Sequence, residues 1–177
     1  MDGDDHLKAA AKYFQQAGGI FNWLRENPTG YTTNTKADLS SDVLLTLSSL
    51  MVAQAQELFY NKASAGRVNE AITSKLAAQT SDFYQQTAQQ MKCCNIWPGD
   101  WNGTMNSKTH LMHSNAQLHQ ASVCAKDHKY GEQIARLQYA HELLTSAEKA
   151  ADSSSPLRKL AKEQAPRVKV QVCCSTN

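Results

Sequence analysis

The feature that most constrains this chain is the spacing of its apolar residues. Over most of its length they recur three or four positions apart, and the interruptions fall where proline or glycine stands. Side chains at that spacing share one face of an α-helix, so the pattern is a succession of amphipathic helices. Valine and isoleucine together number 11 against 23 alanines, a balance that favours helices and starves strands. The expectation is an all-α fold of five helices.

The stripe of Leu7, Ala10, Ala11, Phe14, Ala17, Phe21 and Leu24 predicts a first helix over about 4–26, ended by Asn27-Pro28-Thr29-Gly30. Gly18 and Gly19 sit inside it, where glycine costs ~1 kcal/mol against alanine; either a neighbouring backbone comes close or the helix bends. After a polar loop through Asp38, Ser40 or Ser41 can cap a second helix, which carries Val43, Leu44, Leu47, Leu50, Met51, Leu58 and Phe59 to about Ala63. Gly66 turns the chain into a third helix over about 68–92, bearing Ile72, Leu76, Phe83 and Ala88, and Trp97-Pro98-Gly99 breaks the pattern. The fourth and fifth helices, about 105–126 and 132–151, are joined by a turn at Tyr130-Gly131 and form an antiparallel pair. Beyond Ala151 the text changes. Ser153-Ser154-Ser155-Pro156 reads as a linker, and the last 22 residues, with five Lys/Arg against one Glu, read as a frayed, disordered tail. Its basic balance suits an anionic membrane surface, but a solvated terminus is the simpler reading because stable anchoring needs a second signal.

A chain of 177 residues has room for one domain or a slice of a larger one. With 19% charged residues and a formal net charge of +2, neither a disordered polyelectrolyte nor a nucleic-acid partner is expected. No uninterrupted apolar stretch reaches the roughly 18 to 20 residues of a spanning helix, and acidic residues follow Met1 instead of a basic leader, so a soluble, non-secreted protein is expected. The five cysteines, at 93, 94, 124, 173 and 174, form two vicinal pairs and a singleton, which suits reduced thiols in the cytosol. The Asn102-Gly103-Thr104 sequon should then be idle.

Candidate chemistry is sparse. His110, His113, His119, Cys124, His128 and His141 cluster loosely in sequence. Helical geometry puts His110 and His113 on one face but rotates His119 away, and no ligand motif completes a metal shell. No metal, cofactor or catalytic constellation is expected. Surface recognition offers something more concrete. Ile72 and Leu76, four apart, share a face, and the short turn at Gly66 brings Phe59 close to both, with Lys62 and Lys75 near the rim. From periodicity alone, ordinary core is the simpler reading of these residues.

Four segments change that balance. Leu50-Met51-Val52-Ala53-Gln54-Ala55-Gln56-Glu57-Leu58-Phe59-Tyr60-Asn61-Lys62-Ala63 resembles a signature of the BRO domain family of ALIX-like proteins. Three more match in order: Leu7 to Gln15, Ala71 to Tyr84, and Tyr130 to Gln138. The resemblance implies a tetratricopeptide-like solenoid core of antiparallel helical hairpins, with residues 1–151 forming the central to C-terminal part of a BRO domain and 152–177 a linker and basic tail. It implies a non-enzymatic adaptor in the ESCRT pathway, cytoplasmic and recruited to endosomes, peripheral to the membrane through its partners. The partner implied is the C-terminal amphipathic helix of an ESCRT-III subunit of the charged multivesicular body type. Phe59, Ile72 and Leu76 fall on the positions that line the family's groove, with Asp5, Lys8, Lys62 and Lys75 as rim contacts. A truncated domain would expose apolar helix faces and invite self-association. A general tetratricopeptide-like scaffold and a truncated form without activity are the alternatives.

Overall fold

The computed structural model describes residues 2–28, 39–66, 68–94 and 96–175, with side chains between 5 and 172. Among these, six α-helices and no strands are present: α1 (Asp2–Glu26), α2 (Ser41–Ala65), α3 (Glu70–Met91), α4 (Gly99–Lys126), α5 (Tyr130–Ala150) and α6 (Pro156–Ser175). The all-α expectation holds. The polar loop expected through Asp38 lies, over 29–38, outside the described residues.

Local chemistry sets most helix starts. Ser40 caps α2 by accepting a hydrogen bond from the Val43 amide at 3.3 Å, and Asn69 caps α3 by accepting from Ala71 at 2.8 Å. Helix α4 begins at Gly99, well before the expected Met105, because Pro98 leads into a turn in which Trp101 stacks on Trp97 at 5.7 Å. The reversal between α4 and α5 is made by 127–129 and not by Tyr130-Gly131, which belong to α5. His128 adopts the left-handed φ of 58° that ends a helix this way.

The C-terminal segment corrects the sequence reading. Residues 152–155 do connect two helices, but the stretch from Pro156 expected as a disordered tail is α6, with Ser155 accepting from the Leu157 amide at 3.2 Å and Pro156 in the first helical position. Leu157, Ala161, Ala165, Val168 and Val172 step by four, four, three and four along one face and pack into the core. The exposed Pro166 forgoes one main-chain hydrogen bond inside the helix.

Each helix packs on the one before and the one after it, and α6 also touches α4. The result is a stack of hairpins with the core running between successive layers. By length and composition α2 is the one described helix apolar enough to cross a membrane. Here it lies between α1 and α3 with Val43, Leu44, Leu50 and Ala53 buried, which is how a core helix uses such a sequence.

The layers approach closely because small residues line the seams. Ala53, Ala77, Ala140 and Ala147 are completely buried, and serines bridge to the neighbouring backbone. Ser48 donates to the Gly18 carbonyl (2.9 Å), Ser74 to Ala116 (2.9 Å), Ser81 to Thr109 (3.0 Å) and Ser114 to Ala140 (3.0 Å). The close approach expected at the glycine pair is real at Gly18, where a Cβ would stand 3.3 Å from the Ser48 carbonyl oxygen. At Gly103, inside the sequon, a Cβ would lie 2.6 Å from the Ala150 carbonyl oxygen.

A polar triad ties the middle three helices together. Tyr84 of α3 is fully buried and donates to Glu57 of α2, which Lys108 of α4 meets at 2.5 Å. Lys108 also lies 3.2 Å from the Tyr84 hydroxyl and 5.0 Å from its ring centre. Burial first, then the Glu57 carboxylate, pushes the Tyr84 phenol far above its ordinary range, so it stays a donor. Two predictions follow from these contacts. Lys108→Met leaves the part-buried Glu57 carboxylate without its cation and is expected to cost about 1–3 kcal/mol in urea unfolding, against about 1 kcal/mol for Tyr84→Phe. Equal costs would show that the ion pair does not govern the triad. Gly103→Ala drives a methyl into α5 and is expected to lower stability by about 1–3 kcal/mol in the same assay.

Candidate functional site

Consecutive residues on a helix point about 100° apart, and α2 uses this at Phe59 and Tyr60. Tyr60 turns inward, and its hydroxyl lies 3.3 Å from Nε2 of His119 on α4, whose Nδ1 meets Glu70 of α3 at 2.6 Å. Phe59 turns outward and keeps 39% of its surface exposed. It forms a wall of an apolar trough of about 960 Å³ shared by the C-terminal half of α2, the Gly66 turn and the flanking helices. Leu7 of α1 closes one side, and Leu76 of α3 with Val68 the other. Lys62 stands at the lip.

The structure brings Phe59, Leu76 and Lys62 together as the sequence suggested. Ile72 is not in the lining; it stands 52% exposed on α3, one turn before the half-buried Leu76 and on the same face. Lys75 is exposed on the same helix. Asp5 and Lys8 pair at 3.3 Å on the exposed side of the first turns of α1, on either side of Leu7 in sequence. Sequence reasoning missed Gln56, Ala63, Val68 and Leu7 as lining residues. Leu7 opens the α1 stripe and read as core, and only the fold brings that end of α1 beside α2.

The histidines do not converge. Among the described residues, no three of His, Cys, Asp and Glu are placed to hold a metal ion. His119 serves the bridge to Glu70, His113 packs edge-on against Tyr139 at 5.4 Å, and His128 bonds the Tyr130 hydroxyl at 2.9 Å. Cys124 is buried, and partial desolvation, followed by Asp42 and Cys93, raises the Cys94 thiol above its ordinary value, which disfavours a reactive thiolate. The side chains of Cys173 and Cys174 lie outside the described residues.

The sequence matches the BRO1-like domain family over residues 1–172, through the last described turns of α6. The chain belongs to that family. Programmed cell death 6-interacting protein of Mus musculus is 37% identical over 145 residues, covering 81% of this chain and 17% of the relative. Vacuolar protein-sorting protein bro-1 of Neurospora crassa is 34% identical over 150 residues, 83% of this chain and 14% of the relative. The solved complex of the ALIX BRO1 domain with CHMP4C superposes with a TM-score of 0.86 at 31% identity, over 99% of this chain and 48% of that one. The BRO1-like region described here thus spans about half of that solved domain and under a fifth of those two relatives. The matched residues take in most of α6.

One titrating group in this helix stack yields a pH prediction. Burial first, and the neighbouring His113 second, hold His110 below the ordinary histidine value of 6.5. The unfolded chain therefore takes up that proton first as pH falls. The stability this neutral histidine contributes is complete above about pH 6.5 and is lost as pH drops through its folded value. His110→Gln should flatten the loss of stability between about pH 7 and 5, followed by urea titrations at each pH. Parallel curves for the two proteins would assign the acid sensitivity elsewhere.

Proposed function

We propose that this BRO1-like domain is an adaptor whose trough receives the C-terminal amphipathic helix of an ESCRT-III subunit of the charged multivesicular body type. The observation that carries the reading is an open apolar trough walled by Phe59 and Leu76, with Ile72 exposed beside it, on a domain similar to the ALIX domain solved with CHMP4C. A water-filled apolar trough is costly unless something fills it, and an amphipathic helix presents anchors at i, i+3, i+4 and i+7 that match a groove of this kind. Phe59 and Leu76 take the central anchors. Ile72 extends the apolar strip along α3 past the lining, and Lys62 and Lys75 favour acidic residues flanking the anchors.

Each anchor contributes ~1.5–3 kcal/mol on burial, and three of them, less the cost of association, leave roughly micromolar affinity. Such an adaptor binds reversibly. The rim charges act more on the rate of encounter and on its salt dependence than on the lifetime of the complex. The reading carries with it a cytoplasmic protein brought to endosomes by its partner, acting without catalysis. Names among its relatives that refer to vacuolar protein sorting support that setting.

Titration of a fluorescently labelled ESCRT-III tail-helix peptide tests it. Ile72→Asp is expected to weaken binding by more than about 10-fold and Phe59→Ala by about 10-fold, both with unchanged thermal melts because both side chains are exposed, and Leu76→Asp by more than about 10-fold with some loss of stability, since Leu76 also packs against the core. Lys75→Glu should weaken binding several-fold at low salt and little at high salt. Binding that ignores both aspartate substitutions would remove the trough from the proposal, and binding of unrelated amphipathic helices with equal affinity would favour a general scaffold.

A further inference from the structure

Helices α2 to α5 each carry an acid in the first turn, Asp42, Glu70, Asp100 and Glu132, as the positive end of a helix dipole favours. Helix α6 reverses this. Its first turn has no acid and carries Arg158 and Lys159 instead, with Lys162 following. Together with Ser155 these cations line a depression of about 560 Å³ at the connection between α5 and α6. Among the described residues none of the three takes part in an ion pair, and Glu163, four residues after Lys159, pairs with neither lysine. Asp152, the acid of the connection, is engaged elsewhere, accepting from the Ser153 amide at 2.7 Å and the Ser154 hydroxyl at 2.9 Å. Three like charges therefore stand together at the end of a helix that repels them.

The sequence at the same place carries a second signal. The chain's four prolines follow Asn27, Trp97, Ser155 and Ala165, so Ser155-Pro156 is its only hydroxyl residue followed by proline. Proline-directed kinases select their acceptor by that proline and prefer a cation three positions after the acceptor, where Arg158 stands. We infer that Ser155 is a phosphorylation site for a proline-directed kinase and that Arg158, Lys159 and Lys162 hold the phosphate at the start of α6. In the transfer, Oγ of Ser155 forms a bond to the γ-phosphorus of ATP, the bond from that phosphorus to the departing ADP oxygen breaks, and the hydroxyl proton passes to the base of the kinase. Access is cheap to arrange. Ser153, Ser154 and Pro156 are exposed, and the first turn is held on Ser155 by three amides: Leu157 on the hydroxyl, and Arg158 (3.1 Å) and Lys159 (3.4 Å) on the carbonyl. A terminal turn held so lightly opens at little cost, which lets the segment extend into a kinase cleft and close again afterwards.

A phosphoserine carries a charge of about −1.5 to −2 at pH 7 and three strong acceptor oxygens. Ahead of α6 it meets the positive end of the dipole and the Leu157 amide, with Arg158 able to pair in bidentate fashion and the two lysines acting as point charges. The three cations then stabilise the end that they now strain. Because Leu157 and Ala161 seat this end of α6 in the core, the modification fastens the hairpin of α5 and α6. The site stands apart from the trough, whose walls come from α1, α2 and α3.

Incubation of the 177-residue chain with an active kinase of the cyclin-dependent class and Mg·ATP, followed by peptide mapping in a mass spectrometer, tests the inference. Stoichiometric phosphate on Ser155 is expected. Ser155→Ala should abolish it, and Pro156→Ala should slow the transfer at least about 10-fold. In the phosphorylated chain, amide hydrogen exchange over 157–165 should slow several-fold and the melting temperature should rise by about 2–5 °C. Both gains should fall by more than about half when Lys159→Gln and Lys162→Gln are combined, and should shrink at high salt. A native chain that takes no phosphate while the same kinase turns over a control substrate overturns the inference, as does phosphate mapped to Ser153 or Ser154. Phosphorylation of Ser155 that leaves exchange in α6 unchanged, or protection that survives the loss of both lysines, equally overturns it.

Discussion

Adjacent helices of this domain lie close enough for a serine hydroxyl on one to reach a main-chain carbonyl on the next, and the rest of the architecture follows from that spacing. Ser48, Ser74, Ser81 and Ser114 make these bridges, each on a seam lined by alanine or glycine. A larger residue at such a seam would wedge the layers apart; a hydroxyl fills the space and meets an acceptor that already serves its own helix. The bond itself contributes modestly, but a buried hydroxyl without a partner is penalised, so each serine specifies one register of its helix pair. Small residues set the distance, and polar ones set the register.

The Glu57, Tyr84 and Lys108 triad does the same for three helices at once. An apolar triad of equal volume would pack as well without favouring one alignment of α2, α3 and α4. The exchange of stability for uniqueness is the role that best accounts for charges drawn partly out of water at a helix seam. The trough is built on this frame. Its walls come from α1, α2 and α3, two of which the triad locks together, and the His119 bridge to Glu70 and Tyr60 closes the same corner from α4.

How much of this was legible before any coordinates depended on whether the signal was local. The stripes of α1, α2, α3 and α5 were readable because three-four spacing records a one-sided environment directly. Ser40 announced its helix by residue type alone. Helix α6 was missed because two of the five positions it packs against the core are alanines and its cap, Ser155 followed by Pro156, has the composition of a linker; the four-residue step was present all the same. The start of α4 was missed because Pro98 and Gly99 read as a break, whereas proline is at home just ahead of a helix. Of the trough, Phe59 and Leu76 could be found across a short turn. Leu7 could not, since nothing in its own helix distinguishes a residue beside a groove from one beneath a neighbour. The adjacent Gly18 and Gly19 of α1 differ in a single respect, which side of the helix each occupies, and that only the packing reveals.

Phe59 and Tyr60 are neighbours in sequence with opposite fates, and the pairing has a consequence for recognition. A helix cannot rotate one of them without rotating the other. With the Tyr60 ring buried and its hydroxyl held beside His119, α2 has no freedom to roll about its axis, and the aromatic wall facing solvent is aimed before any ligand arrives. The receptor has little left to organise on binding. The ordering entropy of the encounter falls on the incoming segment, so whatever stiffens that segment in advance strengthens the complex without adding a single contact.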